Sequence, residues 1–233
     1  MTSPLKYLFL ATAAFAVLLL TPLAAQEPTE TAGARVERLL EAMGGRAAWA
    51  GVGYVQVEAT HDNLTIVEPL ANKIFNDLAS PRVRFEGRNT QIDSARAIAG
   101  GAGWRARGGE VAAMTPEEVE SERRWWEANI YRTLRQLALG DPKLIARAVG
   151  ANRLEIFRAD GTRLNWFVMN LRGEPVVFGT WDAETGMAFG PLASNGTVRY
   201  ARWGAAPNGS FRYEIVRFIT AAEVPAEVSF TKP

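Results

Sequence analysis

Side chains that could catalyse a reaction are few in this sequence of 233 residues. It contains no cysteine and a single histidine, His61, which excludes thiol catalysis, disulfide frameworks and poly-histidine metal sites. Asp62 follows His61, but no nucleophile stands at a defined spacing from the pair, and a turn at a strand end is the simpler interpretation. Gly100, Gly101 and Gly103 lack the lysine and the following helix of a phosphate-binding loop and indicate a turn. The sequence therefore predicts no metal and no cofactor.

Carboxylates could support hydrolysis if the fold gathered two of them within about 10 Å, as in glycosidases. Candidates on or beside predicted strands are Asp93, Glu155, Glu174, Asp182 and Glu214. Their spacing along the chain does not show which of them meet, so a carboxylate-dependent hydrolase stays open as an alternative function.

A group of arginines lies on neighbouring predicted strands and could share one face of the sheet. Its members are Arg82, Arg84, Arg88, Arg105 and Arg107. The guanidinium group suits phosphate and carboxylate, so the group could recognise an anionic head group. Coverage of an exposed sheet face by the arginine stems is the simpler interpretation.

Large apolar side chains offer binding rather than catalysis. The predicted ligand-lining residues are Trp125, Trp126, Ile130, Tyr131, Leu134 and Leu137 on one helix, with Trp104 and Trp166 on strands. Aromatic rings fill protein cores as readily as they line cavities. Trp125 and Trp126 are about 100° apart around a helix, so one of them must point away from the other.

The N-terminal 25 residues have the pattern of a secretory signal peptide. Lys6 is their one charged side chain, Tyr7 to Leu20 is an apolar run too short for a bilayer span, and Ala24 and Ala25 precede the predicted cleavage site. We therefore expect a signal peptide at 1–25, a flexible leader at 26–32, and a single domain at 33–233 in the periplasm. Cleavage would remove Lys6 and leave 25 of the 26 basic residues, against 25 acidic ones. A mature chain without net positive charge argues against nucleic-acid binding.

Hydrophobic periodicity predicts the elements that would position these residues. A helix is expected over 34–43, ended by Gly44 and Gly45, with a further turn at 46–50. A capping box at Thr115 starts a long helix that ends near Leu139. The alternating segments predict strands at 53–60, 72–78, 82–87, 90–99, 103–106, 110–114, 144–149, 153–158, 162–171, 174–182, 197–203, 211–219 and 227–231.

Strands joined by tight turns must be antiparallel neighbours, and a sheet of ten or more strands must curl or split. The sequence therefore predicts an α+β fold that is mainly β. We expect a curved antiparallel sheet, an open half-barrel, with an N-terminal helix and the long helix covering its concave face.

This order of elements resembles the bacterial lipoprotein-carrier (LolA/LolB-like) half-barrel superfamily. The resemblance lies in Ala42 to Gly45 with the following strand at 52–59, and in the helical insertion from Thr115 to Gly140. It implies a scaffold that holds acyl chains between the concave sheet and a helical lid. No cysteine is present for a lipid anchor, and no ligand-gating residues of a carrier can be aligned.

The function predicted from these observations is binding rather than catalysis. We expect an exported protein that holds a lipid, a lipoprotein acyl chain or another hydrophobic or amphiphilic small molecule between sheet and helix. Its partners would be lipoproteins or membrane-associated proteins. The alternatives are the periplasmic hydrolase and a partner-binding sensor domain without a ligand cavity.

Overall fold

A computed structural model describes residues 30–181 and 183–232 of the chain. The predicted signal peptide and leader residues 26–29 lie outside the described residues. These residues contain four helices: α1 (Ala32–Ala42), α2 (Arg46–Ala50), α3 (Pro116–Glu127) and α4 (Ile130–Leu139). No helix in these ranges is both long and apolar enough to cross a bilayer.

Fifteen strands form the rest of the architecture within the described ranges. They are β1 (Tyr54–Asn63), β2 (Leu70–Asp77), β3 (Arg82–Arg88), β4 (Asp93–Ala99), β5 (Ala102–Arg107), β6 (Glu110–Ala113), β7 (Leu144–Val149), β8 (Arg153–Arg158), β9 (Arg163–Met169), β10 (Pro175–Thr180), β11 (Met187–Phe189), β12 (Leu192–Asn195), β13 (Val198–Ala201), β14 (Trp203–Ala205) and β15 (Phe211–Ala221).

Thirteen of these strands make one antiparallel sheet in the order β6-β5-β4-β3-β2-β1-β15-β14-β11-β10-β9-β8-β7, and β12 and β13 form a separate hairpin. The sheet is not closed, because β6 and β7 are its two ends. The predicted fold class, an α+β fold with a large open antiparallel sheet, is confirmed.

The helices and the inner face of the sheet share one apolar core. Leu39 and Leu40 from α1, Leu134 from α4, Val55 from β1 and Leu154 from β8 are among its members with no exposed surface. Strands β1 and β8 are six places apart in the sheet order, yet both reach this cluster. The sheet must therefore curl around the helices, as its accumulated twist requires.

The segment predicted as one long helix consists of two. The Thr115 capping box starts α3 as predicted, but Asn129 leaves the helical conformation at ψ 131° and caps α4 through its side-chain oxygen. Asn165 of β9 donates to the Ala128 carbonyl at 3.1 Å, and Asn129 donates to Asn76 of β2 at 3.3 Å. These contacts with two distant strands hold the junction, and hydrophobic periodicity does not register them.

Two of the strand predictions were also wrong, and two short strands were missed. Residues 227–231 form no strand; this segment packs Phe230 on Tyr54 and Phe75. The strand expected over 197–203 is divided between β13 and β14, because β13 leaves the large sheet to pair with β12. Strands β11 and β12 were not predicted, since each is too short for an alternating pattern to be visible.

Candidate functional site

The apolar face of α4 is buried in the core rather than turned to a cavity. Leu134 has no exposed surface, Leu137 is buried, and Ile130 packs against the same cluster. Tyr131 stacks on Trp49 of α2 at 6.0 Å between ring centroids and meets Phe218 of β15 edge-on at 5.0 Å. Of the residues predicted on α4, Tyr131 is the one whose side chain carries a polar atom into this interior.

The two adjacent tryptophans of α3 point apart, as the helix geometry requires. Trp126 packs on Val83 and Ile98 of the sheet and donates to the Asp77 carbonyl at 2.5 Å. Trp125 is half exposed and meets Trp181 edge-on at 5.0 Å. The α3 segment therefore covers the sheet through Trp126, while Trp125 lies at the surface.

Trp104 and Trp166 lie on the outer face of the sheet, the side turned away from α3 and α4. Arg105, which follows Trp104, pairs with Glu118 of α3, and successive side chains of a strand alternate between faces. Trp104 instead donates to the Phe230 carbonyl at 3.0 Å. The Trp166 indole lies over Gly179 and donates to the Ala183 carbonyl. These two tryptophans do not share a site with the helices.

Two clefts in the described structure lie outside the helix–sheet interior. One, of about 440 Å³, runs over the outer face of β1 to β4 and is lined by charged and small side chains, among them Glu58, Lys73, Glu86 and Arg88. The other, of about 550 Å³, lies at the end of the sheet where β1 begins. Neither lies between helix and sheet, where the predicted hydrophobic ligand would be held; the sequence leaves open whether that space is a cavity or is filled by side chains.

An aromatic cluster occupies the part of the inner face that the helices leave uncovered. We call His61, Phe189, Phe211 and Tyr213 the aromatic mouth. His61 meets Phe211 edge-on at 4.9 Å and Tyr213 at 5.9 Å. Tyr213 lies opposite His61 on one side and opposite Gly204 on the other, and Gly204 lies opposite Phe189.

All four side chains of the aromatic mouth are partly exposed, although they lie on the side of the sheet that faces α4. His61 is two positions beyond Ala59, a member of the core under the helices, so the two side chains share a face. Partly exposed aromatic rings that continue a buried core are typical of a binding surface.

Polar atoms lie at the back of the aromatic mouth. Tyr131 is more than nine-tenths buried, and no side-chain hydrogen bond within the described residues uses its hydroxyl. Burial raises the pKa of Tyr131 well above its usual value, and the nearby Tyr213 and Tyr200 hydroxyls raise it further. The Tyr131 hydroxyl thus has the phenol groups of Tyr213 and Tyr200 as neighbours, and a polar group of a ligand could accept or donate a hydrogen bond among them.

Burial also controls the charge of His61. Removal from water lowers its pKa to about 4, and the neighbouring Asp62 offsets only part of this effect. The imidazole is therefore neutral above about pH 5. The aromatic mouth carries no formal charge at neutral pH, which suits an apolar ligand.

We expect His61 to make the protein less stable as the pH falls from 6.5 to 4. Its folded pKa lies below the ordinary value of about 6.5. In that window the unfolded chain binds a proton that the folded chain does not, so stability present above pH 6.5 is lost on acidification. Because His61 is the only histidine, its ring-proton NMR resonance can be followed alone. A folded-state midpoint near 6.5 would contradict the burial argument, and His61→Gln is the control in urea unfolding.

The predicted arginine group does not share one face. Val83 packs under Trp126 of α3, so Arg82 and Arg84, its neighbours on β3, point outward, where the Arg84 guanidinium lies 4.2 Å from the Phe75 ring centroid. Alternation places Arg88 outward as well. Arg105 and Arg107 point inward, since Arg105 pairs with α3. This corrects the prediction: strand parity separates the five residues into two sets.

The described candidate carboxylates each pair with arginine. Glu155 contacts Arg153 and Arg163, Glu174 contacts Arg172 and Arg199, Glu214 contacts Arg202 and Arg212, and Asp93 contacts Arg88. Hydrogen bonds from Asn170 and Arg172 lower the pKa of Glu174. These are the surroundings of structural ion pairs rather than of two acids that share a proton. Asp182 lies outside the described residues, which contain no group of His, Asp and Glu that could hold a metal ion.

Sequence reasoning missed the aromatic mouth, although one signal for it exists. Phe211, Tyr213 and Ile215 alternate along β15, and Phe218 continues the same face after an irregularity opposite Glu58 and Ala59. The alternation indicates one apolar face of a strand. His61 lies on β1, about 150 residues earlier in the chain. Its place beside the apolar face of β15 follows only from the pairing of the two strands.

Comparison with known proteins gives partial structural likenesses. No family model matches the chain, and no curated protein matches its sequence. The chain is similar to a DUF1329 family protein from Desulfovibrio piger, with a TM-score of 0.41, 8% identity, and coverage of 86% of this chain and 96% of the other.

Two further solved structures are similar over most of this chain. LprF from Mycobacterium bovis has a TM-score of 0.32 and 12% identity, and the match covers 85% of this chain and 96% of that one. The MucA/MucB complex of Pseudomonas aeruginosa has a TM-score of 0.32 and 14% identity, over 84% of this chain and 59% of that one.

Proposed function

We propose that this protein binds the apolar part of an amphiphilic molecule, such as a lipid or a lipoprotein acyl chain, in the aromatic mouth. The observation that carries the proposal is the partial exposure of His61, Phe189, Phe211 and Tyr213 on the inner face of the sheet. Covering these rings with an acyl chain removes apolar surface from water, which stabilises the complex by about 25 cal/mol for each Å² buried.

The chemistry at the two ends of the aromatic mouth supports an amphiphile over a purely apolar ligand. At the back, Tyr131 is more than nine-tenths buried, and its hydroxyl makes no side-chain hydrogen bond within the described residues, so a polar group of a ligand could supply a partner. At the front, the loop between β1 and β2 exposes Leu64 (80%) and Val67 (88%). Its backbone is tied to Ser210, next to Phe211, by the hydrogen bond from Leu64.

The predicted signal peptide at 1–25 places this activity outside the cytoplasm, in the periplasm. A donor or acceptor of an amphiphile is membrane-associated, because the molecule resides in a bilayer. Such a partner would meet the protein at Leu64 and Val67, which lie beside the mouth.

The test recovers the protein from the periplasmic fraction of cells that express the full chain, and titrates it with a fluorescent C16 fatty acid. We expect saturable binding that Phe211→Ala and Tyr213→Ala each weaken about tenfold, because a buried aromatic ring contributes on the order of 1–2 kcal/mol. Leu171→Ala is the matched control: Leu171 is 96% exposed, in the turn after β9.

Circular dichroism of each variant separates lost binding from lost folding. Absence of saturable binding to the wild-type protein would overturn the proposal. So would equal affinity of wild type, Phe211→Ala and Tyr213→Ala. Retention of the protein in the cytoplasmic fraction would contradict the predicted export but not the proposed ligand binding.

A further inference from the structure

A second recess lies at the opposite end of the strands that form the aromatic mouth. This cleft of about 550 Å³ is lined by Gly53, just before β1, by Asp77 at the end of β2, and by Ala222, just after β15. Gly53 and His61 are eight residues apart along one strand, or about 26 Å at 3.3 Å per residue. The cleft is therefore separate from the proposed amphiphile site.

Arg135 of α4 lines this cleft and has no partner for its charge among the residues that the structure describes. No hydrogen bond, ion pair or aromatic ring within the described residues engages its guanidinium group, and its Nε atom is buried without a hydrogen bond. Arg132, one turn earlier on the same helix, stacks 4.1 Å from the Trp126 ring centroid and donates to the Glu127 carbonyl. The Nε atom of Arg132 is also buried without a hydrogen bond, so the difference between the two side chains is that the Arg132 guanidinium group has a ring and a carbonyl as partners and that of Arg135 has neither within the described residues.

Burying a guanidinium donor without a partner costs free energy. A side chain in this state is stabilised by any ligand that supplies an acceptor. The planar guanidinium group presents paired donors that match the two oxygens of a carboxylate or phosphate. An oxyanion in the cleft would supply the acceptors that Arg135 lacks within the described residues.

The other charged groups in the cleft do not fill this role. The Asp77 carboxylate is engaged by Arg82, at 2.5 Å from Nη2 and 2.7 Å from Nε, and accepts the backbone N–H groups of Ala79 and Ser80. Glu223 is exposed at the wall and forms no ion pair within the described residues. It adds negative charge that opposes an incoming anion.

We propose that this cleft is a binding site for a small organic oxyanion, a carboxylate or a phosphate ester. Arg135 would hold the anionic group in a two-point hydrogen bond. The apolar part would lie against Val224, Ala226 and Val228, which form the wall supplied by the chain after β15.

Isothermal titration calorimetry of the full-length protein with butyrate and with inorganic phosphate tests the site. We expect saturable binding that Arg135→Gln weakens about tenfold or more, since a hydrogen bond to a charged group contributes roughly 1.5–3 kcal/mol. Glu223→Gln is expected to strengthen binding, because it removes the opposing charge. Butyrate binding without phosphate binding would identify a carboxylate site, and the reverse a phosphate site.

Arg107→Gln is the matched control, because Arg107 is also unpaired within the described residues but is exposed on β5. An equal loss in Arg107→Gln and Arg135→Gln would show a net-charge effect and overturn the site, as would the absence of saturable binding of either probe to wild type. Arg135→Gln is expected to bind the fluorescent fatty acid as wild type does, which keeps this site and the aromatic mouth experimentally distinct.

Discussion

Replacing Leu134 by alanine is expected to lower the free energy of unfolding by about 3 kcal/mol, within the 2–5 kcal/mol typical of buried leucines. Leu134 has no exposed surface and lies in the cluster that joins α4 to β1 and β8. Removing its isobutyl group leaves a cavity between two parts of the sheet that cannot both move inward to fill it.

Leu139→Ala on the same helix is the control for this change. Leu139 is 52% exposed, so its truncation removes little buried area and should cost less than about 1 kcal/mol. Urea unfolding followed by tryptophan fluorescence measures both. Equal midpoints for the two variants would show that α4 does not seal the core.

Gly44→Ala is expected to destabilise the protein more than Gly45→Ala, by about 2 kcal/mol or more. Both glycines have positive φ, at 113° and 102°, so an alanine at either position pays a similar backbone cost of order 1–3 kcal/mol. A Cβ atom at Gly44 would also lie 2.0 Å from the Thr197 carbonyl oxygen, whereas a Cβ atom at Gly45 meets nothing within 4 Å.

The physical reason is that the β12–β13 hairpin docks directly on the end of α1. Arg199 donates its backbone N–H to the Met43 carbonyl at 2.8 Å, and its guanidinium group donates to the Ala42 carbonyl. An alanine at 44 must push this hairpin away. Hydrogen exchange at residues 197–201 should then rise in Gly44→Ala and not in Gly45→Ala; equal exchange would refute the docking argument.

Local patterns predicted the parts of the fold that depend on neighbouring residues. The capping box at Thr115, the glycine stop at Gly44 and the antiparallel strands all follow from short-range rules, and the structure has them. The break between the helices at Asn129 depends instead on Asn165 and Asn76, which lie on two strands that are distant in sequence. No periodicity in α3 and α4 reports such contacts.

The candidate site could be predicted by residue type but not by position. Trp104 and Trp166 have the right chemistry for a ligand wall, yet strand alternation directs them to the outer face, and Phe167 takes the inner position beside Trp166. Parity along a strand becomes informative only when one residue of known direction is available. For His61 and Phe211, the sequence offers no residue of known direction, because their shared face follows from the pairing of β1 with β15.

A sheet of thirteen strands that does not close has two edge strands, β6 and β7. The edge strand β7 exposes Ile145 and Val149 to solvent. A strand of a second polypeptide could pair with this edge through main-chain hydrogen bonds. Arg147 lies between the two apolar side chains, exposed, with its guanidinium 4.2 Å from the Phe157 ring centroid. A charged side chain in the middle of an exposed edge strand opposes edge-to-edge pairing of two copies of the chain.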